Sequence, residues 1–183
     1  MRNPLVVLAL AGLMVGGCAG LEPKQPLTTV PSVDLRRYAG TWYEIARLPM
    51  WFQRHCVDAK AIHTLQEDGR LRIRNECLTE SGAVVRADGT ATVVDPVTHA
   101  RWSLVLDHWA SRLVGASGEG NYWIVALDAD YRTAMVGTPD RKYLWIMART
   151  PRLEEPIYEA LVQQAQRMGF AVQELIRARR ESP

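Results

Sequence analysis

The chain has no long apolar run beyond its N-terminus, no tract of one charge apart from a short basic tail at residues 177–180, and no cysteine framework. Its 3 Cys in 183 residues are too few for a disulfide-built scaffold and do not make a zinc set. The 22 Lys+Arg stand against 20 Asp+Glu, a net charge of +2. Without a basic stripe there is no electrostatic footprint for nucleic acid. Nothing after the N-terminal run is long and apolar enough to span a bilayer, which excludes a polytopic membrane protein. The GxSxG, HExxH, P-loop and Rossmann fingerprints are all missing, so the commonest signatures of hydrolases, metalloproteases and nucleotide enzymes are absent. What is there is a globular composition, 48% hydrophobic and 23% charged, sized for one domain.

Arg2 precedes an apolar run over residues 5–15. That run is too short for about 30 Å of hydrocarbon and suits the h-region of a signal peptide. Leu13-Met14-Val15-Gly16-Gly17-Cys18 follows. Small residues directly before a Cys at the end of an h-region resemble the lipobox of bacterial lipoproteins, with Val15 where Leu is more usual. The resemblance implies a signal peptide over residues 1–17 and acylated Cys18 as the mature N-terminus. Ordinary signal cleavage beside an incidental Cys is the alternative. Ala19 stands where an Asp would resemble an inner-membrane retention signal, which points to the outer membrane, with the domain facing the periplasm. Each buried CH₂ is worth about 0.8 kcal/mol, so two or more acyl chains hold a protein firmly on a bilayer. Pro23, Pro26 and Pro31 break up the next stretch. Residues 18–32 therefore read as a lipidated N-terminus and a short extended tether, ahead of a folded domain over residues 33–183.

Within that domain, β-rich runs alternate with turn signals. They cover residues 41–48, 57–65, 71–78, 84–94, 101–106, 122–127, 133–138 and 143–148. Glu67-Asp68-Gly69-Arg70 is a strong hairpin turn. The spacing is that of an all-β barrel or sandwich. The period then changes: Ile157, Leu161, Ala165 and Met168 mark an amphipathic helix over residues 154–168. Pro156 suits its first turn and Gly169 its end. The natural solution is an eight-stranded antiparallel up-and-down β-barrel with one C-terminal α-helix packed on its outer wall. A barrel of that size has room for side chains or one small ligand.

Three motifs make the pattern specific. Gly40-Thr41-Trp42-Tyr43-Glu44 resembles the first lipocalin signature. Asp128-Ala129-Asp130-Tyr131 matches the second, through Asp130-Tyr131. Arg149-Thr150-Pro151, after the eighth strand, matches the third. The similarity runs from residue 34 to residue 176 and is nearest to the bacterial outer-membrane lipoprotein branch, then to the apolipoprotein D branch. It implies that Gly40, Trp42, Asp130, Tyr131 and Arg149 are structural, with Arg149 laid across the Trp42 indole in a cation–π contact.

Alternation along each strand then sorts the faces. If Arg149 points inward, so do Met147, Trp145 and Tyr143. On the fifth strand Trp102, Leu104 and Leu106 form the apolar parity. The sixth strand is apolar on both parities, and the resemblance turns Tyr122, Ile124 and Ala126 inward; on the seventh it turns Met135 and Gly137 inward. Such a lining suits an acyl chain, with methionine giving shape tolerance, and the Tyr122 and Tyr143 hydroxyls would face a head group. The same residues would equally fill a solid core. Met50, Trp51 and Phe52 follow the first strand and form either a lip for ligand or bilayer, or a plug packed on other loops.

Cys56 and Cys77 flank the first hairpin, and an oxidising periplasm favours their pairing. A tight turn centred on Asp68-Gly69 opposes residues whose numbers sum to 137, whereas these two sum to 133. The bond therefore needs a folded-back loop, a bulge or a displaced turn, because the offset is about 13 Å along a strand. His55, Cys56, Asp58, His63 and Cys77 match no standard metal spacing, and no metal or cofactor is expected. His99 and His108 have no nearby partner in sequence. Glu44 is the acid whose parity with Trp42 points it into the barrel. The resemblance implies a binding protein, not an enzyme, that stores or transports fatty acid or lysophospholipid for envelope maintenance. Its partners are that lipid, the outer membrane through Cys18, and a possible second copy in a homodimer. The alternatives are an enzyme on the same barrel, or a carrier of a tetrapyrrole or quinone.

Overall fold

The computed structural model describes residues 25–107 and 118–179. The strands are β1 (Gly40–Arg47), β2 (Cys56–Leu65), β3 (Leu71–Thr79), β4 (Val84–Val93), β5 (Arg101–Leu106), β6 (Tyr122–Leu127), β7 (Thr133–Gly137), β8 (Leu144–Ala148) and β9 (Ile176–Arg177). Two helices join them, α1 (Leu35–Tyr38) and α2 (Glu155–Arg167). The sheet runs β2-β3-β4-β5-β6-β7-β8-β1-β9, and β1 also pairs with β2. That pairing closes eight antiparallel strands into the barrel the sequence predicts.

The ninth strand was not foreseen. β1 stays with β2 only through residues 40–43, from Gly40↔His63 to Tyr43↔Lys60. Where β2 diverges, β9 takes the freed edge through Ala46↔Arg177 and Arg47↔Ile176. The wall is thin elsewhere too. Among the described residues, backbone pairing between β5 and β6 covers Arg101↔Trp123 and Trp102↔Tyr122. Beyond it the Asn121 side chain stands in for a strand: its Oδ1 accepts from the Leu104 amide at 2.8 Å and its Nδ2 donates to the Leu104 carbonyl at 3.0 Å.

Two apolar layers result. One fills the lower barrel around Trp42, Ile73, Trp102 and Ile124. The other lies outside, between the wall and α2, around Ile45, Val125, Met135, Ile146 and Phe170. α2 buries Tyr158, Leu161 and Ala165 against that wall, while Ile157 is exposed. The helix thus sits rotated from the predicted stripe, because Tyr158 offers the larger apolar face one position on. Its last turn is closed by Gly169 at φ 85° and by Arg141, whose Nε donates to the Met168 carbonyl.

Residues 25–32, read from composition as part of the extended tether, are docked on the barrel, as is Val33 at the start of the domain. Leu27 is buried in the outer layer, Val30 donates to the Ile124 carbonyl and Val33 to that of Thr98. α1 follows, with the Asp34 carboxylate accepting from the Arg36 and Arg37 amides, which meets two of the donors that a helix start leaves open.

Candidate functional site

The barrel has a closed end and an open end. Trp42 closes the first. It is fully buried, and its Nε1 donates to the Tyr38 carbonyl at 2.8 Å. The Arg149 Cζ lies 3.9 Å from the Trp42 ring centroid. The same guanidinium donates to the carbonyls of Tyr131, Thr41, Arg37 and Tyr38, so it knits α1, β1 and the β6–β7 turn together. Gly40, at φ 102°, is needed here: a Cβ would stand 3.2 Å from the Arg149 Nη1. Tyr131 accepts from the Asp34 amide at 2.9 Å and carries Arg37 over its ring. Asp130 pairs with Arg132 at the surface. The carboxylate that organises this turn is Asp128, which accepts from the amides of Asp130, Arg132 and Thr133. The sequence motif placed that weight two residues too late.

Above the cork lies an aromatic floor. Trp102 stacks on Tyr122 with centroids 4.9 Å apart and planes parallel within 1°. The Tyr122 hydroxyl sits 3.2 Å from the Tyr38 hydroxyl and 3.2 Å from the His63 Nε2. Burial, helped by the Arg149 charge, pushes the His63 pKa down to about 3. Burial raises the Tyr122 phenol well above its usual value. The floor is uncharged at neutral pH.

Over the floor opens a cavity of about 810 Å³, within the range of about 300–1,000 Å³ that suits small-molecule ligands. Of the side chains predicted to line it, Leu104, Leu106, Tyr122, Trp145 and Met147 do so. Trp102 and Ile124 lie below it, packed into the floor. Tyr143 turns to the rim, its ring 5.7 Å from Phe52. Met135 points the other way, into the layer under α2. The reason is register. Ala134 pairs with Met147 and Val136 with Trp145, and cross-strand partners share a face, so Ala134 and Val136 face in and Met135 and Gly137 face out. A Cβ on Gly137 would meet the Phe170 ring at 2.7 Å. Ala126 is likewise turned outward by a bulge between Ile124 and Ala126. The opposite wall carries none of the predicted lining residues. There Ala59, Ala61, Asn75, Ala83 and Ala87 line the space. Small inward residues at period two on β2 and β4 are the signal that was available, and they leave the volume that the aromatics across the barrel do not fill.

The sequence profile of the lipocalin-like domain matches residues 33–180. The chain is a lipocalin. It is 34% identical over 174 residues to the outer membrane lipoprotein Blc of Escherichia coli (strain K12), which covers 94% of each chain. It is 35% identical over 156 residues to temperature-induced lipocalin-1 of Arabidopsis thaliana, covering 85% of this chain and 83% of that one. Among solved structures, insecticyanin from the tobacco hornworm Manduca sexta shares the fold, with a TM-score of 0.62 at 15% identity and 85% of each chain covered.

At the open end of this lipocalin, a bulge in β1 turns both Glu44 and Arg47 inward. Their ion pair is 2.9 Å long and almost fully buried. Burial raises the Glu44 pKa, and the Arg47 charge partly offsets that rise. Arg47 also donates to the carbonyls of Gln53 and Cys56. Gln53 donates to Glu44 at 3.2 Å and accepts from the Trp145 Nε1 at 3.1 Å. The pair therefore straps the β1–β2 loop to the cavity wall. Strand parity alone points Glu44 inward and Arg47 outward; only the bulge brings both to one face.

Cys56 and Cys77 are bonded, with Cα atoms 5.4 Å apart. Two small shifts bring them together. The β2–β3 pairing is displaced to Leu65↔Leu71, and a bulge between Cys56 and Asp58 sets Cys56 opposite Thr79. Cys77 is then its diagonal neighbour on the same face. Among the described residues no cluster of three His, Cys, Asp or Glu is placed to hold a metal. Cys18 and His108 lie outside the described residues.

Proposed function

We propose that this lipocalin is an acylated lipoprotein that binds a single-chain lipid, a fatty acid or a lysophospholipid, and stores or carries it for the envelope. Its place is the outer membrane, where Cys18 anchors it with the domain on the periplasmic side. The observation that carries the reading is the cavity of about 810 Å³, open at one end and floored by uncharged aromatics. Moving roughly a dozen methylenes out of water contributes about 10 kcal/mol before the costs of binding. Asn75, on the inward parity of β3, gives a head group a polar partner, while Lys60, Glu76 and Arg86 pair with one another on the outer parity of the same strands. Function of this kind needs no bond to be broken. The disulfide between Cys56 and Cys77 fits that reading, since it leaves neither thiol free for chemistry.

The test is titration with a fluorescent fatty acid, reading quenching of Trp145 against a Trp145→Phe variant. Saturable binding of one molecule per barrel, displaced by lysophospholipid, is expected. A flat indole signal with no bound lipid in native mass spectra of undelipidated protein would overturn the reading.

A further inference from the structure

The cavity mouth carries a cluster of exposed apolar side chains, set among the exposed charges of Arg54, Glu80, Asp140 and Lys142. Trp51 and Phe52 cross ring edge to face at 5.7 Å in a short turn and are 51% and 38% exposed. Across the mouth, the β3–β4 hairpin exposes Leu78, Val84 and Val85. The closed end differs. There the exposed side chains include Asp34, Arg36, Arg70, Asp130 and Arg132, with Val97 the one large apolar exposed among the described residues of that end.

The N-terminal segment ends at the same mouth. Phe52 touches Tyr143 at 5.7 Å. Tyr143 belongs to the β7–β8 turn with Arg141, and Arg141 donates to the Gln25 carbonyl. From Gln25 the chain runs down the outer wall to Val33 near the closed end. Only residues 19–24 separate Gln25 from Cys18, a reach of no more than about 25 Å even when fully extended. With the mouth turned away from the anchoring membrane, that whole reach would be used running back along a wall roughly 25–30 Å tall. With the mouth turned toward it, the reach is slack.

We propose that the open end of the barrel rests on the membrane that holds the acyl anchor, with Trp51 and Phe52 set into its lipid. This rests on the reading of Cys18 as the anchor. The occupant is a bilayer because the patch and the start of the tether share one end of the molecule. An aromatic lip is also the side-chain type that settles at a lipid interface, and exposed Arg54 beside it suits anionic head groups. A lipid then passes between bilayer and cavity without crossing water.

The experiment uses the full acylated chain in phosphatidylethanolamine–phosphatidylglycerol vesicles whose acyl chains carry bromine. Indole quenching is expected for the wild type and is expected to drop clearly in Trp51→Phe. A Trp51→Asp, Phe52→Asp double variant should stay anchored and melt as the wild type does. It should take a fluorescent fatty acid from vesicles about fivefold more slowly, a slowing larger than any loss of affinity it shows for the same fatty acid in water, since Trp51 and Phe52 also border the cavity. Equal quenching with and without Trp51, together with equal transfer rates, overturns the orientation. So does light scattering that shows dimers with Trp51 shielded from bromine, because a second copy then covers the lip. A Cys18 without acyl chains in the mass spectrum overturns both the anchor and the orientation. Quenching of Trp51 without any fatty-acid binding supports the orientation and removes the cargo instead.

Discussion

Trp42 shows how one residue holds several levels of structure. Its indole fills the base of the barrel, its N–H meets a carbonyl of α1, and its face carries Arg149. Trp42→Ala would leave a void that the rigid ring of strands cannot collapse around. The expected loss is about 3–5 kcal/mol, read as the shift in urea midpoint at constant slope; an unchanged midpoint would strip Trp42 of this role. The Gly-x-Trp and Arg motifs were legible because they are fixed spacings in the chain. Asp128 was not, since Asp128 and Asp130 are the same residue type two positions apart. Which carboxylate reaches the turn amides depends on Tyr131 adopting φ 60°, a conformation that the residue type does not announce.

Among the elements, the eight barrel strands and their order were readable from alternation and turn residues, and so was α2; the two-residue β9 was not. Facing was readable only where a strand has one apolar side. β6 is buried along nearly its whole length, and there alternation cannot choose a face. The choice for β7 comes from its neighbour β8, through pairs such as Ala134↔Met147, and bulges in β1 and β6 shift the count midway. The β2–β3 hairpin carries its own test. Its disulfide closes a span of 21 residues, which in the chain-entropy account stabilises the fold by about 3 kcal/mol. Thiol titration of the folded protein should find neither Cys56 nor Cys77 reactive. Reduction should lower the melting temperature while leaving the far-ultraviolet spectrum of the barrel intact at low temperature.

For the molecule as a whole, stability against pH is set by buried groups that pull in opposite directions. His63, held down to about 3, is neutral when folded and takes a proton more readily when unfolded, so its contribution is full above about pH 6.5 and falls as pH drops toward 3. Asp95, held down to about 2 chiefly by Thr98, acts in the same sense lower in the range. Glu44 is raised; its contribution is complete below its unfolded value and shrinks as pH rises. Above about pH 4.5 Glu44 therefore offsets His63, and below it the offset ends. The acid limb should steepen under about pH 4.5, and His63→Gln should recover about 2 kcal/mol of the loss between pH 4.5 and 3, measured by urea unfolding at each pH. The cavity itself is also a whole-molecule property. No motif spells it; it is the sum of small inward residues on one side of the ring and large ones on the other. The ring's continuity rests in one place on a carboxamide, where Asn121 substitutes for strand backbone. Hydrolysis of that amide to aspartate would set a negative oxygen against the Leu104 carbonyl, so the slow ageing of a single side chain would unseam the wall with every peptide bond intact.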